Sequence, residues 1–588
     1  MPTETLTLFD ESEDVATKKT KKKAKKATST KAPATRRRAT AQSMAEKQRE
    51  ISVSEFFTKN RHLLGFDSPL KALLTAVKEA VDNSLDACEE AGIPPDILVE
   101  IRAAGENRFR MIVQDNGPGI LDTQIGKVFG KLLYGSKFHK LSQSRGQQGI
   151  GISAAGMYGQ LTTGKPIQIT SRTGPRRDAV QFLLTIDTAK NKPEIHSKEV
   201  VKWIGENDRP VKHGTRVEIE MEGRYQKGQR SVDMYLKQTA IANPHVELTY
   251  IDPGGEKIVY ERGTKDLPPE TVEIKPHPHG VELGRMIAML KETGCRSLSG
   301  FLQEEFSRVG PKVAKTIIKS AGKGLTEKSY PSRIAREEAN ALHKAIADTK
   351  ISSPSTDCIA PIGEDLILRG LKKEIEADFY FAATRPPSVY RGNPFQVEVG
   401  VAYGKPGGVG LEVTDEGRIK KKKPDPKTAH EDLVAGADEP IRVMRFANRV
   451  PLLYQQSACA VTKGVIATNW RSYGLQHPRG GLPLAPMAIL IHIASVWVPF
   501  TSESKEAIAS YDEILKEVKL ALQTAGRKLG THIRKGKRLK REFDKRNYIE
   551  TYIPHIGIAL QEILDLSDRD RDKTVATLED VLHRSRKF

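Results

Sequence analysis

Cysteine is scarce in this sequence of 588 residues. The four cysteines stand far apart and form no CxxC pair: Cys88, Cys295, Cys358 and Cys459. This spacing indicates neither a zinc site nor a disulfide framework, so we expect a reducing compartment. Aromatic residues make up only 6% of the chain and charged residues 29%. The length exceeds what one hydrophobic core normally supports, so two to four domains are expected.

The sequence also has few long runs without charge. The segment LPLAPMAILIHIASVWVPF, residues 482–500, could be mistaken for a membrane span. Three prolines interrupt it and His492 lies inside it, so the pattern favours a buried strand near 488–498. The acidic first residues do not resemble a signal peptide. We expect a soluble, cytoplasmic protein with no membrane partner.

Acidic residues are absent from 15–45, a stretch that carries eleven Lys or Arg. Residues 1–14 hold five acids and no base, so the chain from residue 46 onward keeps about +14 of the net charge of +20. Nucleic acid is the simplest partner for such a charge, because phosphates neutralised by Lys and Arg release their counterions. Solubility is the alternative reason. Residues 1–50 are too polar to form a core and are predicted to be a disordered basic arm.

A working P-loop is missing as well. Gly159-QLTT-Gly164-Lys165 has the spacing of one, but the next residue is Pro166. Proline supplies neither a hydroxyl for magnesium nor an N–H for phosphate, and no strand is predicted before the motif. We therefore do not interpret it as a nucleotide site.

Acids and an amide are concentrated on one predicted helix. From Pro69, apolar residues recur at helical spacing up to Cys88, and Gly92 followed by two prolines ends the pattern. Glu79 and Asn83 lie four residues apart on another face of this helix. A row of polar residues is most often a solvated face, and the helix alone does not decide the question.

Two glycine motifs follow the helix. ILVEIRAAG and RFRMIVQ predict a strand pair that delivers Asp115-Asn-Gly117-Pro-Gly119 at a strand end. A carboxylate there can accept a hydrogen bond from an amino group such as adenine N6, and the glycines allow a base to approach the backbone. RGQQGIG, residues 145–151, leads into a predicted helix, and glycines before a helix N-terminus present N–H groups to phosphates.

The order of these motifs resembles the Bergerat ATP-binding fold of the GHKL superfamily, which includes gyrase, heat-shock chaperones, histidine kinases and MutL. The resemblance implies that Glu79 is the general base for water, Asn83 ligates Mg²⁺ and Asp115 reads adenine beside Gly117 and Gly119. It also implies a lid that wraps the phosphates of ATP, formed by Gly146, Gln147, Gln148, Gly149, Ile150, Gly151, Ile152 and Ser153.

Longer strings narrow the resemblance. KLLYGSKFHKLSQSRGQQGIGISAA, FANRVPLLYQQSACAVTKGV and VPFTSESKEAIA are similar to B subunits of type IIB topoisomerases, over about residues 50–530. By this resemblance Ser136 and Lys137 touch nucleotide, and Lys505 is a switch lysine that reaches the γ-phosphate. The family's Trp-Lys-x-Tyr DNA-contact motif corresponds here to Trp470, Arg471 and Tyr473, with arginine in place of lysine.

The resemblance implies a multidomain α+β fold. The parts are a Bergerat ATPase sandwich, an all-α helix-two-turn-helix insertion, a ribosomal S5-like α/β transducer domain and a long C-terminal stalk helix. The expected boundaries are the arm at 1–50, the ATPase domain at 51–230, a linker and helical module at 231–352, the transducer at 353–505, and the basic helix with its extension at 506–588.

The function implied is an ATP-operated clamp on double-stranded DNA, at the nucleoid, that dimerises when ATP binds. Nothing in the sequence resembles a cleavage tyrosine in a winged helix or an acidic Toprim site, so an A subunit must cut DNA in a heterotetramer of two A and two B chains. A repair- or chaperone-type clamp and a DNA-binding protein with a degenerate ATP site are the alternatives. A histidine kinase is disfavoured because no phosphoacceptor helix precedes the ATP site.

Overall fold

The computed structural model describes residues 41–45, 50–136, 140–146, 149–205, 208–404, 411–413, 419–421, 438–502 and 504–585. The chain divides into two units, residues 1–51 and 52–588. In the first unit a short helix, α1 (Ala41–Ala45), is described. Most of the predicted basic arm therefore lies outside the described residues. All other elements belong to the second unit.

An eight-stranded sheet forms the first half of the second unit, in the order β5-β4-β3-β6-β2-β1-β7-β8. All neighbours are antiparallel except β1 and β7. The strands are β1 (Asp96–Gly105), β2 (Arg108–Asp115), β3 (Ile167–Arg172), β4 (Ala179–Asp187), β5 (Lys192–Val201), β6 (Gly214–Glu222), β7 (Glu247–Ile251) and β8 (Lys257–Tyr260). The hairpin predicted around residues 105–107 is confirmed as β1 and β2.

Helices accompany this sheet and share a hydrophobic core with it. They are α2 (Val53–Lys59), α3 (Pro69–Glu90), α4 (Asp122–Gly130), α5 (Gly151–Thr163) and α6 (Val232–Ala242). Helix α3 has Pro69 in its first turn, and Gly92 beyond its end has a positive φ of 67°. Its apolar stripe is buried, so the site residues are held on a firmly packed helix.

The first sheet extends past the expected domain boundary at residue 230. That boundary is wrong, because α6 packs in the same core and β7 and β8 complete the same sheet. The next independent core lies in four helices: α7 (Leu283–Glu292), α8 (Leu298–Glu305), α9 (Pro311–Ala321) and α10 (Arg336–Asp348). The predicted all-helical module is thus present, and it begins later than residue 231.

A second α/β domain follows. Its main sheet has the order β10-β11-β16-β14-β15, with β9 also pairing with β11. Its elements are α11 (Glu364–Glu374), β9 (Phe379–Thr384), β10 (Ser388–Tyr390), β11 (Asn393–Tyr403), β12 (Leu411–Val413), β13 (Ile419–Lys421), β14 (Arg442–Ala447), β15 (Val450–Pro451), α12 (Ala460–Ala467) and β16 (Met487–Ser495). Strands β12 and β13 form a separate hairpin.

The uncharged segment at 482–500 contains β16, in which every residue is buried. The prediction of a buried strand is confirmed. Across the described part of the chain, no helix combines the length and apolarity needed to cross a membrane.

The C-terminal part consists of two helices, α13 (Asp512–Leu564) and α14 (Asp568–Ser585). Helix α13 begins a few residues after the expected residue 506 and continues through Pro554 to Leu564. Its first third packs on the second domain, through Ile514, Val518 and Leu522. Helix α14 returns along α13, and a Cβ on Gly557 would overlap the Val575 side chain, so the two helices approach closely there.

Candidate active site

A cavity of about 550 Å³ opens between α3, the end of β2, the start of α5 and a loop of the second domain. Its lining includes most of the residues predicted to bind nucleotide: Glu79, Asn83, Asp115, Gly119, Ser136, Gly146, Gly149, Ile150, Gly151, Ile152 and Lys505. Gly117 and Ser153 do not line it. Lys137, Gln147 and Gln148 lie outside the described residues.

Glu79 and Asn83 are one turn apart on α3 and both line the cavity. A Cβ on Gly151 would overlap the Glu79 carboxylate, so glycine is required where α3 meets the start of α5. The Asn83 side chain is exposed, and its Oδ1 lies 3.6 Å from where a Cβ on Gly146 would be. A carboxylate and an amide oxygen therefore face the same glycine-rich segment.

Asp115 is held at the end of β2 by three donors. Its Oδ1 accepts from the Gly117 N–H at 2.9 Å and the Thr215 N–H at 3.1 Å, and its Oδ2 accepts from the Ser84 hydroxyl at 3.0 Å. Burial raises the pKa of Asp115, and these hydrogen bonds oppose that rise. The result is a fixed acceptor in the wall of the cavity. Gly117 acts through its backbone on Asp115, not as a lining residue.

The predicted glycine lid runs into the first turn of α5, whose first residue is Gly151. Gly149 has a φ of +56°, a conformation that glycine adopts without strain. Unpaired N–H groups of a first helical turn favour anions. The side chains of Ile150 and Ile152 are largely buried, and the Ser153 hydroxyl donates to the Ile150 carbonyl at 3.0 Å, so Ser153 supports the turn.

The segment with P-loop spacing, residues 159–165, lies at the other end of the same helix. Gly159 lies within α5, and Gly164 follows its last residue with a φ of +70°. The motif thus forms a helix C-terminus, whose partial negative charge disfavours phosphate.

Lys505 comes from the second domain and reaches the cavity of the first. Its Nζ donates to the Arg145 carbonyl at 3.2 Å. Its backbone has a φ of +51°, which is uncommon for a residue with a side chain and typical of functional loops. Burial lowers the pKa of the Lys505 ammonium, and the Glu79 carboxylate opposes that change. The loop therefore presents a cation whose charge is incompletely compensated.

Arg145, which the sequence reasoning left without a role, is buried beside the lid. Its guanidinium binds Asp86 at 2.9 Å and Glu89 at 2.7 Å, and it donates to Asn243 at 2.6 Å. Burial disfavours the charged guanidinium, but the two carboxylates more than compensate and raise the pKa of Arg145. Asp86 and Glu89 stand one turn apart on α3, and this pair of acids is the feature of the sequence that indicates a site for a buried cation.

The predicted DNA-contact motif forms a short turn, Trp470–Tyr473. The prediction that Trp470 contacts DNA is wrong for its side chain, since the ring is fully buried and its indole N–H donates to the Val465 carbonyl at 2.8 Å. A large apolar ring is more stable in the core than in solvent. Tyr473 packs against α13, where a Cβ on Gly526 would overlap its ring. Arg471 is exposed.

Helix α13 carries a basic stretch beside this turn. Ten Lys or Arg lie between Arg527 and Arg546, and nine of them are exposed. The Lys537 ammonium lies 3.9 Å from where a Cβ on Gly474 would be, so the turn adjoins the basic stretch. Exposed Lys and Arg side chains of this kind can neutralise the phosphates of a nucleic acid.

Comparison with known proteins agrees with this geometry. The family described as "Histidine kinase-, DNA gyrase B-, and HSP90-like ATPase" matches residues 71–215, and "Topoisomerase VI B subunit, transducer" matches residues 354–545. The chain is 48% identical over 531 residues to the type 2 DNA topoisomerase 6 B subunit of Methanococcoides burtonii, covering 90% of this chain and 79% of that protein. The corresponding protein of Archaeoglobus fulgidus is 45% identical, with 92% and 84% covered.

The fold and the site together define an ATP-binding GHKL ATPase domain joined to a transducer domain. Sequence identity at this level over nine-tenths of the chain identifies a protein family, whereas a shared fold alone does not. The chain belongs to the family of type 2 DNA topoisomerase 6 B subunits, the ATPase subunits of type IIB topoisomerases.

Proposed function

We propose that this chain is an ATP-operated clamp that drives passage of one DNA duplex through a break made by a partner A chain. The observation that carries the proposal is that Glu79, Asn83, Asp115, the described glycines of the lid and Lys505 line one cavity. Four of these five come from the first 153 residues and one from the second domain. ATP hydrolysis is thereby joined to the transducer at the site itself.

The adenine of ATP fits against Asp115. Its carboxylate is oriented by Ser84, Gly117 and Thr215, which leaves one lone pair of Oδ2 for the exocyclic amino group. The phosphates extend toward Gly151, where the backbone N–H groups at the start of α5 favour negative charge. Ser136, which also lines the cavity, supplies a hydroxyl donor.

Glu79 is the proposed general base, because its carboxylate lies beside Gly151 at the phosphate end of the cavity. Asn83 is the proposed protein ligand of Mg²⁺. Magnesium usually keeps several waters and takes one or two protein oxygens plus substrate phosphates, and the exposed amide of Asn83 fits that pattern. Bound there, the ion would neutralise charge that develops on the phosphates.

Lys505 is proposed to sense the γ-phosphate. Its ammonium donates to the carbonyl of Arg145, the residue that immediately precedes the lid. A phosphate oxygen is a stronger acceptor than a neutral carbonyl, so a γ-phosphate within reach would draw the ammonium from Arg145. When the γ-phosphate is lost, the Lys505 ammonium would again donate to the Arg145 carbonyl.

The exposed basic stretch of α13 and Arg471 are the proposed DNA-binding surface. Trp470 and Tyr473 act by shaping the turn that presents Arg471. The nucleic-acid backbone is the proposed target, since exposed Lys and Arg side chains neutralise phosphates whatever the base sequence. Two copies of this chain would dimerise on ATP binding and join two A chains in a heterotetramer.

The test is relaxation of negatively supercoiled closed circular DNA by the purified chain mixed with the partner A chain, with and without ATP and Mg²⁺. Relaxation that requires both chains and ATP supports the proposal. Glu79→Ala is the matched negative control, as it should bind ATP without turnover. ATP hydrolysis without any change in DNA topology would contradict the topoisomerase role and leave only an ATPase.

A further inference from the structure

Three consecutive residues, Gln143–Arg145, precede the glycine lid, and each bonds to the second domain. We name them the coupling segment. The Gln143 side chain makes two bonds to the backbone of Ala360: its Nε2 donates to the carbonyl at 3.2 Å and its Oε1 accepts from the N–H at 2.8 Å. The Gln143 N–H also donates to the Cys358 carbonyl at 2.8 Å. The neighbours Cys358 and Ile359 pack against β16.

Ser144 is joined to the central strand of the transducer through Asn448. The Asn448 side-chain amide donates to the Ser144 carbonyl at 3.1 Å, and its oxygen accepts from the Ser495 N–H at 2.9 Å. The Asn448 N–H donates to the Ile493 carbonyl at 2.9 Å. One side chain thus ties the coupling segment directly to the end of β16.

Arg145 connects the coupling segment in both directions. Its guanidinium is bound by Asp86 and Glu89 of α3, the helix that carries Glu79. Its carbonyl accepts from Lys505. Gly146, the first lid residue, follows at once, so a displacement of the lid must act on a segment that is anchored to both domains.

We propose that the coupling segment transmits the nucleotide state of the lid to the transducer by a route additional to Lys505, with Gln143 as its positioning residue. This inference rests on the proposed ATP site. Gln143 does not line the cavity, so its role is mechanical: the paired bonds to Ala360 make the second domain follow the segment. Coupling of this kind requires two sites that bias one shared element.

The chain contains a matched control for Gln143. Gln160 makes the same pair of bonds to the backbone of Ile186, with Nε2 donating at 3.1 Å and Oε1 accepting at 2.8 Å. Both bonds lie within the first domain, since α5 carries Gln160 and β4 carries Ile186. Gln143→Ala and Gln160→Ala therefore remove equal hydrogen bonding, and only the first variant removes a link between the two domains.

The experiment measures supercoils relaxed per ATP hydrolysed by the full chain with its partner A chain. We expect Gln143→Ala to keep ATP affinity and to lower this ratio at least about fivefold, the lower end of usual coupling strengths, whereas Gln160→Ala keeps the wild-type ratio. An unchanged ratio in Gln143→Ala overturns the coupling segment. A wild-type chain that binds no ATP overturns the proposed function and this inference together, so the two failures are distinct.

Hydrogen exchange with a non-hydrolysable ATP analogue separates coupling from stability. In the wild type the analogue should change exchange in peptides that contain Ala360 and Asn448. In Gln143→Ala that change should disappear, while cavity peptides respond normally. A structural role alone would raise exchange with and without the analogue and preserve the difference, which would contradict the proposal.

Discussion

The two walls of the ATP cavity are built in different ways. One wall, α3 with the end of β2 and the lid, comes from residues within a single sheet-and-helix core. The other is a loop with Ser504 and Lys505, carried by a domain with its own core. The first wall holds its side chains by dense packing and fixed hydrogen bonds. The second places one lysine in an uncommon backbone conformation, which suits a group that changes partners.

In the proposed function the first wall carries out the chemistry and the second senses the nucleotide, and substitutions can test that division. The largest effect is expected at Glu79. Glu79→Ala should keep ATP binding and lower hydrolysis by about 10²–10⁴-fold, the usual range for a positioned base. The measurement is kcat together with ATP affinity.

Glu90→Ala, an exposed glutamate on the same helix, is the control and should retain turnover. Equal losses of binding and turnover in Glu79→Ala would remove the assignment as base.

The second wall is tested at Lys505. Lys505→Ala should bind ADP normally but hydrolyse ATP at least about 30-fold more slowly, since a donor preorganised at a charged transition state contributes roughly 2–4 kcal/mol. DNA relaxation with the partner A chain should fail as well. Lys505→Arg should recover activity only in part, because a planar guanidinium does not replace a compact ammonium.

The control is Lys463→Ala, which alters an exposed lysine of the same domain. Wild-type hydrolysis and relaxation in Lys505→Ala would move the sensing role to another cation.

Asp115→Asn sharpens the comparison within the first wall by separating binding from chemistry. The amide places an N–H₂ where Oδ2 now accepts from Ser84, so a donor would face the adenine amino group. We expect ATP affinity to fall about tenfold or more, because a buried donor is left without an acceptor. Calorimetry measures the ATP affinity, and the exposed Asp122→Asn is the control. If Asp115→Asn bound ATP as tightly as the wild type, the role of Asp115 would be limited to shaping the turn.

The smallest effect concerns stability behind the first wall. Asp82 is buried on α3, where burial raises the pKa of its carboxyl to about 7; Glu79 adds to the rise, whereas Lys78, Arg145 and the Tyr235 hydroxyl oppose it. The unfolded carboxyl titrates near 3.8. The folded protein therefore binds the proton more tightly, and stability declines as the pH rises from about 4 to 7.

Asp82→Asn removes the ionisable carboxyl and with it the loss of stability that its ionisation causes at high pH. We expect its Tm to exceed the wild-type value by about 2–4 °C at pH 8 and by less at pH 5. Exposed Asp348→Asn should leave Tm unchanged at both values. A Tm difference for Asp82→Asn that did not depend on pH would show that the carboxyl stays ionised in the fold.

The helices and strands with a strong apolar periodicity could be predicted from the sequence. Strands at the edges of the sheets could not. The stripe of α3, the hairpin of β1 and β2, and buried β16 follow from local pattern. Strand β5 is largely exposed at one edge of the first sheet, so it carries no apolar alternation to detect. The boundary at 230 was misplaced because β7 joins β1 in a parallel pair, and such pairing leaves no local signal.

The residues of the candidate site also fall into those that the sequence predicts and those that it does not. That Glu79, Asn83 and Asp115 lie close together could be predicted, because one helix and one strand end present them within a short stretch of chain. Arg145 was missed since its acidic partners lie more than 50 residues away, and Trp470 was given a surface role because a motif does not reveal which side of a turn is buried.

The sequence by itself determined which side chains are available for chemistry, since helical spacing, strand ends and glycine conformations depend on near neighbours. Only the tertiary structure decided that Lys505 contacts Arg145, 360 residues away and next to the lid, and that Gln143 is bonded to Ala360. The physical reason is that these contacts depend on how two hydrophobic cores pack against each other, and that packing is a property of the whole chain.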